Sequence, residues 1–339
     1  MHLKPLLKRG ALLTGANWPV IAIQYVAATT FQMLLAVPIV GAAILVAVLL
    51  GADLAELLQG GLRDIFTTIA GTLRSEPVAL VAFITAFVMV LLGGSVLMFL
   101  VKGGTVDVLV AAHRRAGAIE SEPLTIDTMR GASQFTLQRF MAGCSRLFRP
   151  YLIVGLGLMA VYAISACGYL AFVIYGYRAA TDRFLMLGVT FVAALSGGLL
   201  VAWITLTNVL YLLIQIAIAV DGAGVTAAIA AVARFIRAEF RALAGIFCVV
   251  LALVVAATLA SALAWSGVGL IAFVPLVGLA VVPLQLAALV LRGLVFEYLG
   301  LTALAAYVTL YVDYRRRAEA VARNFTGSTP LERPAEASP

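Results

Sequence analysis

The sequence predicts an all-α membrane protein that crosses the bilayer about six times, with amphipathic helices at the membrane surface. Of its 339 residues, 63% are apolar and only 12% are charged, and the mean hydropathy is +1.09. Soluble domains are about 45–50% apolar and about 25% charged, and a soluble chain this apolar would expose surfaces that aggregate. The composition therefore excludes a soluble enzyme, a disordered protein and a fibrous protein.

Apolar runs of about 17–25 residues cross a bilayer as helices, and the sequence contains several blocks of this length or longer. They cover residues 20–50, 77–101, 151–177, 184–220, 243–265 and 267–313. The first run is about twice as long as the core of a signal peptide, so we interpret it as a retained transmembrane helix. Several runs exceed the thickness of the hydrocarbon layer, so their helices must tilt, kink or project from the membrane.

The last block is either two spans, or one span at 283–313 preceded by a segment at 267–282 that re-enters or lies on the outer surface. Basic residues concentrate on the cytoplasmic side of membrane proteins. Six spans with both termini inside leave few basic residues outside, namely Arg63, Arg74, Arg178 and Arg183. A seventh span would place the three consecutive arginines 315–317 on the outer side of the membrane. We therefore expect six spans, one bundle domain over residues 1–316, and a mostly disordered cytoplasmic tail over 317–339.

Three connecting segments, at 54–73, 137–149 and 225–241, have an apolar face at helical spacing. Amphipathic helices of this kind lie in the membrane interface. In the second and third segments, arginines occupy the opposite face, and we expect them to contact anionic lipid headgroups. These candidate contacts are Arg139, Arg146, Arg149, Arg234, Arg237 and Arg241. The alternatives are that the arginines only fix the topology, or that they dock a cytoplasmic partner protein.

Two charged residues, Arg292 and Glu297, lie inside the last span, with Glu297 near its middle. A charge at the centre of a span costs about 2.5–3.5 kcal/mol on insertion scales, so such residues usually face a protein interior or a wet cavity. We expect Glu297 to point toward the polar stretch 205–215. The candidate intramembrane polar site consists of Arg292, Glu297, Asn208, Gln215 and Gln32. A structural hydrogen-bond network and a substrate path both fit these residues.

The sequence lacks the motifs of common catalytic and metal centres. It contains no phosphate-binding loop, no His-Glu-x-x-His motif and no Gly-x-Ser-x-Gly elbow, and its three cysteines form no Cys-x-x-Cys pair. We therefore expect no catalytic residue, no metal and no cofactor. A lipid-modifying enzyme would need clustered acids or histidines at headgroup level, where only His113, Asp107 and Asp127 occur.

Two smaller features have simple interpretations. The segment from His113 to Arg115 fits a solvated helix end better than a lipid-phosphate site, and Cys144 is a weak candidate for S-acylation. The net charge of +7 indicates anionic lipid as a partner rather than nucleic acid, because the basic residues cluster beside apolar spans.

Several short motifs occur beside the apolar runs. Asn17-Trp18-Pro19 precedes the first apolar run, and 129–132 (Met-Arg-Gly-Ala) and 138–140 (Gln-Arg-Phe) follow the second. Asp221-Gly-Ala-Gly-Val opens the 225–241 helix, and Tyr307, Tyr311, Tyr314 and Arg315 end the last span. With these motifs the sequence resembles a group of bacterial six-helix membrane proteins that includes the membrane domain fused to some glycerophosphoryl diester phosphodiesterases. The resemblance covers about residues 15–316 and implies a fold and a role in the cell envelope. It implies no reaction, since the chain lacks the acidic and histidine sites of the phosphodiesterase domain.

The predicted function is that of a multi-pass accessory or structural protein of the bacterial inner membrane, which binds lipid or a partner protein and catalyses no reaction. The alternative is a transporter or permease for a small or lipidic substrate, with a path lined by Gln32, Asn208, Arg292 and Glu297. A transporter would show activity in liposomes that contain the purified chain alone, whereas an accessory protein would not.

Overall fold

The computed structural model describes residues 3–50, 77–123, 125–180, 183–272 and 277–326, and every regular element in these ranges is a helix. The helices are α1 (Leu3–Ala16), α2 (Trp18–Leu50), α3 (Pro77–Arg115), α4 (Ile126–Ala132), α5 (Leu137–Ala179), α6 (Arg183–Asp221), α7 (Val225–Ala272) and α8 (Val277–Thr326). Six of them are long and apolar enough to cross a membrane. The predicted all-α polytopic fold is confirmed. Helices suit this composition because all their backbone groups are hydrogen-bonded within the segment.

The long helices form three antiparallel pairs, in which α2 packs on α3, α5 on α6, and α7 on α8. Helix α3 also packs extensively against α5, and α1 packs against α8. We call the end of the bundle that carries α1, α4 and residues 313–326 the basic end. At this end α6 passes into α7 through Gly222, whose φ of +63° lies in the left-handed region that favours glycine.

The buried core lies toward the basic end. Most of 103–113 in α3 and all of 213–219 in α6 and 301–312 in α8 are buried. Helix α1, α4 and the first parts of α5 and α7 surround these three central segments. We call this region, residues 3–17, 103–151, 213–246 and 301–326, the head.

Away from the basic end, the long helices carry exposed large apolar side chains, which form the apolar band. These side chains occur in α2 between 26 and 48, in α5 between 153 and 177, and in α6 between 185 and 210. About 20 helical residues span the roughly 30 Å of a hydrocarbon layer, so the band matches the surface that lipid would cover. The excess length of the helices lies in the head, beyond the band.

The segments predicted as separate interfacial helices are continuous with membrane spans. Residues 137–149 are the first part of α5, and 225–241 are the first part of α7, which kinks at Glu239 (φ −120°, ψ 25°). In α5 the buried face contains Phe140, Cys144 and Leu147, whereas Leu137 and Met141 of the predicted apolar face are exposed. The buried face of 137–149 therefore packs against α3, where Gly103 and Gly104 allow a close approach. A β-carbon at position 104 would lie 2.8 Å from the Cys144 sulfur.

Other sequence-based boundaries also differ. The described parts of 267–282 extend neighbouring helices, since α7 continues to Ala272 and α8 begins at Val277. Helix α8 runs to Thr326, ten residues into the segment assigned to a disordered tail at 317–339. The predicted amphipathic segment 54–73 and residues 327–339 lie outside the described residues.

Candidate functional site

A cavity of about 410 Å³ lies between α3, α6, α7 and α8, where the apolar band meets the head. Its polar lining residues are Lys102, Thr205, Asn208, Tyr211, Glu297 and Tyr307, and the remaining lining is apolar apart from Gly300. Ligand pockets typically have volumes of about 300–1,000 Å³ and combine an apolar wall with a few convergent polar groups. The cavity therefore has the size and composition of a binding site.

Lys102 and Glu297 bring opposite charges to this cavity from two helices. Lys102 immediately precedes the buried segment of α3, and Glu297 lies between exposed Val295 and buried Leu301 on α8. Both side chains line the same cavity. Within the part of the chain that the structure describes, neither forms an ion pair or a side-chain hydrogen bond. Both charges are thus available to a ligand.

Helix α6 supplies a row of polar side chains that leads from the cavity into the head. The Asn208 amide donates to the Ile204 carbonyl at 3.1 Å and accepts from the Tyr162 hydroxyl. The Tyr211 hydroxyl and both polar side-chain atoms of Gln215 are buried and have no hydrogen-bond partner among the described residues. Leaving a buried polar group unpaired costs about 1–3 kcal/mol, so hydrogen bonds from a bound ligand or water to Tyr211 and Gln215 would stabilise the protein.

The structure brings together only part of the predicted intramembrane site. Asn208 and Glu297 line one cavity, which Thr205 of the polar stretch 205–215 also lines. Gln215 is buried in the head and does not line the cavity.

Arg292 and Gln32 lie elsewhere. Arg292 is exposed on α8, with its guanidinium 5.7 Å from the Phe296 ring centroid, and it borders a separate apolar cavity between α7 and α8. Five residues correspond to about 140° of rotation on a helix, so Arg292 and Glu297 face different surroundings. Gln32 is exposed on α2.

Lys102 is the residue that sequence reasoning missed. The apolar run ends at Val101, which placed Lys102 in a predicted cytoplasmic segment. The helical pattern nevertheless continues through Val106, Leu109 and Val110, all of which are buried. That continuation is the signal that could have placed Lys102 on a span.

The arginines of α7 form an exposed basic face. Arg234, Arg237 and Arg241 are exposed, whereas Ala228, Val232 and Phe235 on the other side of the helix are buried. Between these two faces lie the exposed apolar residues Ile229 and Phe240, which are 48% and 65% exposed. This part of α7 therefore offers a basic face and an adjoining apolar flank, the combination found in helices that lie at a lipid interface.

The arginines of α5 are partly engaged within the protein. Arg146 pairs with Asp107 of α3, and Arg139 donates to the Gln134 side chain at 2.8 Å. Arg149 is exposed. The α5 group is therefore less available to lipid than the α7 group.

Two side chains of the head differ from their predicted surroundings. His113 is buried, contrary to the prediction of a solvated helix end, and its Nδ1 accepts from Arg9 Nε at 3.3 Å. Arg9 also pairs with Glu120 at 2.6 Å, so α1 is tied to the end of α3. Cys144 is buried against α3, which removes its thiol from reach of an acylating enzyme in this fold.

The motifs that carry the family resemblance meet in the head. Asn17 bonds to residues 132–135, and Asp221 accepts from the Tyr311 hydroxyl at 2.7 Å and from Arg315 at 2.9 Å. No protein-family model, curated protein or solved structure matches the chain. The contacts of Asn17 and Asp221 hold the elements of the head together.

Proposed function

We propose that the protein is a multi-pass accessory or structural protein of the bacterial inner membrane that binds anionic lipid and catalyses no reaction. In this proposal the head and both termini lie in the cytoplasm. The asymmetry of basic residues supports this orientation, because Lys and Arg concentrate at the cytoplasmic ends of spans.

The basic face of α7 is the observation that carries the proposal. Arg234, Arg237 and Arg241 are exposed beside the exposed apolar side chains of Ile229 and Phe240. Guanidinium groups form paired hydrogen bonds with phosphate, and the apolar flank suits the boundary between headgroups and acyl chains. Among the described residues these three arginines form no ion pair, which leaves their guanidinium groups available to lipid phosphates.

Replacing Arg234, Arg237 and Arg241 together by glutamine is expected to weaken association with anionic lipid and leave the fold intact. Each basic residue near an anionic surface contributes about 1 kcal/mol, and salt screens this contribution. The measurement is the retention of anionic lipid by the purified protein at low and high salt.

The matched control replaces the same three arginines by lysine, which keeps the charge and is expected to retain most of the salt-sensitive binding. Equal retention of anionic lipid by the glutamine variant and the parent would contradict the proposal. It would indicate that these arginines only fix the topology. Stoichiometric co-purification of a protein that the glutamine variant loses would assign the face to a partner protein instead.

Labelling of single cysteines from outside intact cells tests the orientation. On a cysteine-free background, a cysteine at exposed Ala179 is expected to react, whereas cysteines at exposed Ser121 and Ala318 are not. All three positions should react after the membrane is permeabilised. Labelling of position 318 in intact cells would overturn the cytoplasmic assignment of the head.

A second candidate function is transport of a small or lipidic substrate. The charged cavity favours it, because Lys102, Asn208 and Glu297 form a polar opening within otherwise apolar helices. Movement of a labelled substrate across liposomes that contain only this chain would support transport, and its loss in Glu297→Gln would link it to the cavity.

A further inference from the structure

The cavity between α3, α6, α7 and α8 has the features of a headgroup site. We propose that it binds the headgroup of a zwitterionic phospholipid with a primary amine, of the phosphoethanolamine type. Lys102 would hold the phosphate and Glu297 the ammonium group. This inference rests on the proposed function as a lipid-binding protein, but it uses residues that are separate from the basic face of α7.

The position of the cavity along the helices supports the assignment to a lipid headgroup. On α8, large side chains are exposed up to Val295, and every residue from Leu301 to Val312 is buried in the head. Glu297 therefore lies at the boundary between the apolar band and the head. Lipid headgroups occupy this boundary, and their acyl chains extend along the band.

The cavity also opens toward lipid. Its lining includes Asn208, Leu251 and Gly300, which are exposed on the outside of the bundle. A headgroup can enter from the side while its acyl chains stay against the apolar band. The apolar wall, which includes Val209, Leu212 and Val250, suits the glycerol end of the lipid.

The charges select the class of headgroup. A purely anionic headgroup would be repelled by Glu297, and a purely cationic ligand would be repelled by Lys102. Phosphoethanolamine presents a phosphate to Lys102 and three N–H donors to Glu297, and charge-assisted hydrogen bonds are the stronger kind. Phosphocholine carries the same charges but has no N–H to donate. The Tyr211 hydroxyl, which has no partner in the part of the chain that the structure describes, is a further donor for a phosphate oxygen.

The test compares retention of phosphatidylethanolamine and phosphatidylcholine, with identical acyl chains, by the full chain in mild detergent under native mass spectrometry. We expect the parent to prefer phosphatidylethanolamine. Lys102→Gln and Glu297→Gln should each reduce its retention about tenfold, since each removes one charged partner. Arg292→Gln is the matched control, because Arg292 is on the same helix outside the cavity, and it should retain the parent's preference.

Three outcomes would overturn the proposal. These are equal retention of both lipids by the parent, unchanged retention in both cavity variants, and equally tight binding of water-soluble glycerophosphoethanolamine, which would assign the cavity to free phosphoesters. If Lys102→Gln does not fold, Lys102→Met removes the same charge. The α7 glutamine variant should keep the preference for phosphatidylethanolamine, so failure at one site is distinguishable from failure at the other.

Discussion

Replacing Asn17 by leucine is expected to destabilise the protein by about 3 kcal/mol or more, because several buried groups lose their partners at once. Asn17 is 0% exposed at the junction of α1 and α2. Its amide nitrogen donates to the carbonyls of Leu13 and Ala132, at 2.9 and 3.2 Å. Its oxygen accepts from the backbone N–H groups of Gln134 and Phe135, at 2.8 and 3.0 Å. One side chain therefore holds the start of α2 against the connection between α4 and α5.

The measurement is the melting temperature of the purified protein in one detergent. Gln138→Leu is the matched control, since it also replaces an amide by leucine but at an exposed position, where changes are usually within about 0.5 kcal/mol. Asn17→Asp keeps the acceptor oxygen and loses the two donations, so its melting temperature should lie below that of the parent. A melting temperature of Asn17→Leu equal to that of Gln138→Leu would contradict the assigned role.

Much of the architecture follows from the sequence, because a membrane span needs only length and hydropathy to be recognised. The spans around 77–101 and 184–220 were predicted in this way, and α3 and α6 contain them. The six-span count depended on the basic cluster from Arg315 to Arg317, which a seventh span would have moved. These signals are local or additive along the chain, so a single sequence is enough to reveal them.

The polar cavity could be predicted only in part, because its polar residues come from three different helices. Asn208 and Glu297 are visible as polar residues inside apolar runs. Lys102 cannot be recognised in this way, because it follows the last residue of the apolar run 77–101. Whether it lies on a membrane span depends on how far α3 continues as a buried helix. In the sequence, Arg292 and Glu297 are both charged residues inside the last span. Only the orientation of α8 relative to its neighbours shows that Glu297 lines the polar cavity and Arg292 does not.

The packing of residues 137–149 against α3 could not be predicted from the sequence for a related reason. An amphipathic helix has the same pattern whether its apolar face meets lipid or another helix. In α5 the buried face packs on a helix rather than on lipid because Gly104 of α3 lets Phe140 and Cys144 approach the α3 backbone. Small residues permit such contacts between helices, but the sequence does not show which face of α3 meets which partner.

A close helix contact at a glycine also predicts that one added methyl group at Gly10 lowers the stability of the protein substantially. Helix α1 packs against α8 through Gly10, where a β-carbon would lie 2.6 Å from the Thr302 carbonyl oxygen and 3.0 Å from the Ala306 backbone nitrogen. Backbone atoms in the middle of a helix cannot move aside as a flexible side chain can. Gly10→Ala is therefore expected to destabilise the protein by about 2–3 kcal/mol, within the range for overpacked sites, and to lower the melting temperature.

Gly15→Ala provides the matched comparison on the same helix. A β-carbon there would meet only the Met129 methyl carbon at 3.8 Å, an ordinary contact. Glycine in a helix costs about 0.5–1 kcal/mol relative to alanine, so Gly15→Ala should leave the melting temperature unchanged or raise it. Of these two identical substitutions five residues apart, only Gly10→Ala should lower the melting temperature, because only position 10 meets the backbone of α8. Equal melting temperatures for the two variants would show that α1 does not pack on α8 through Gly10.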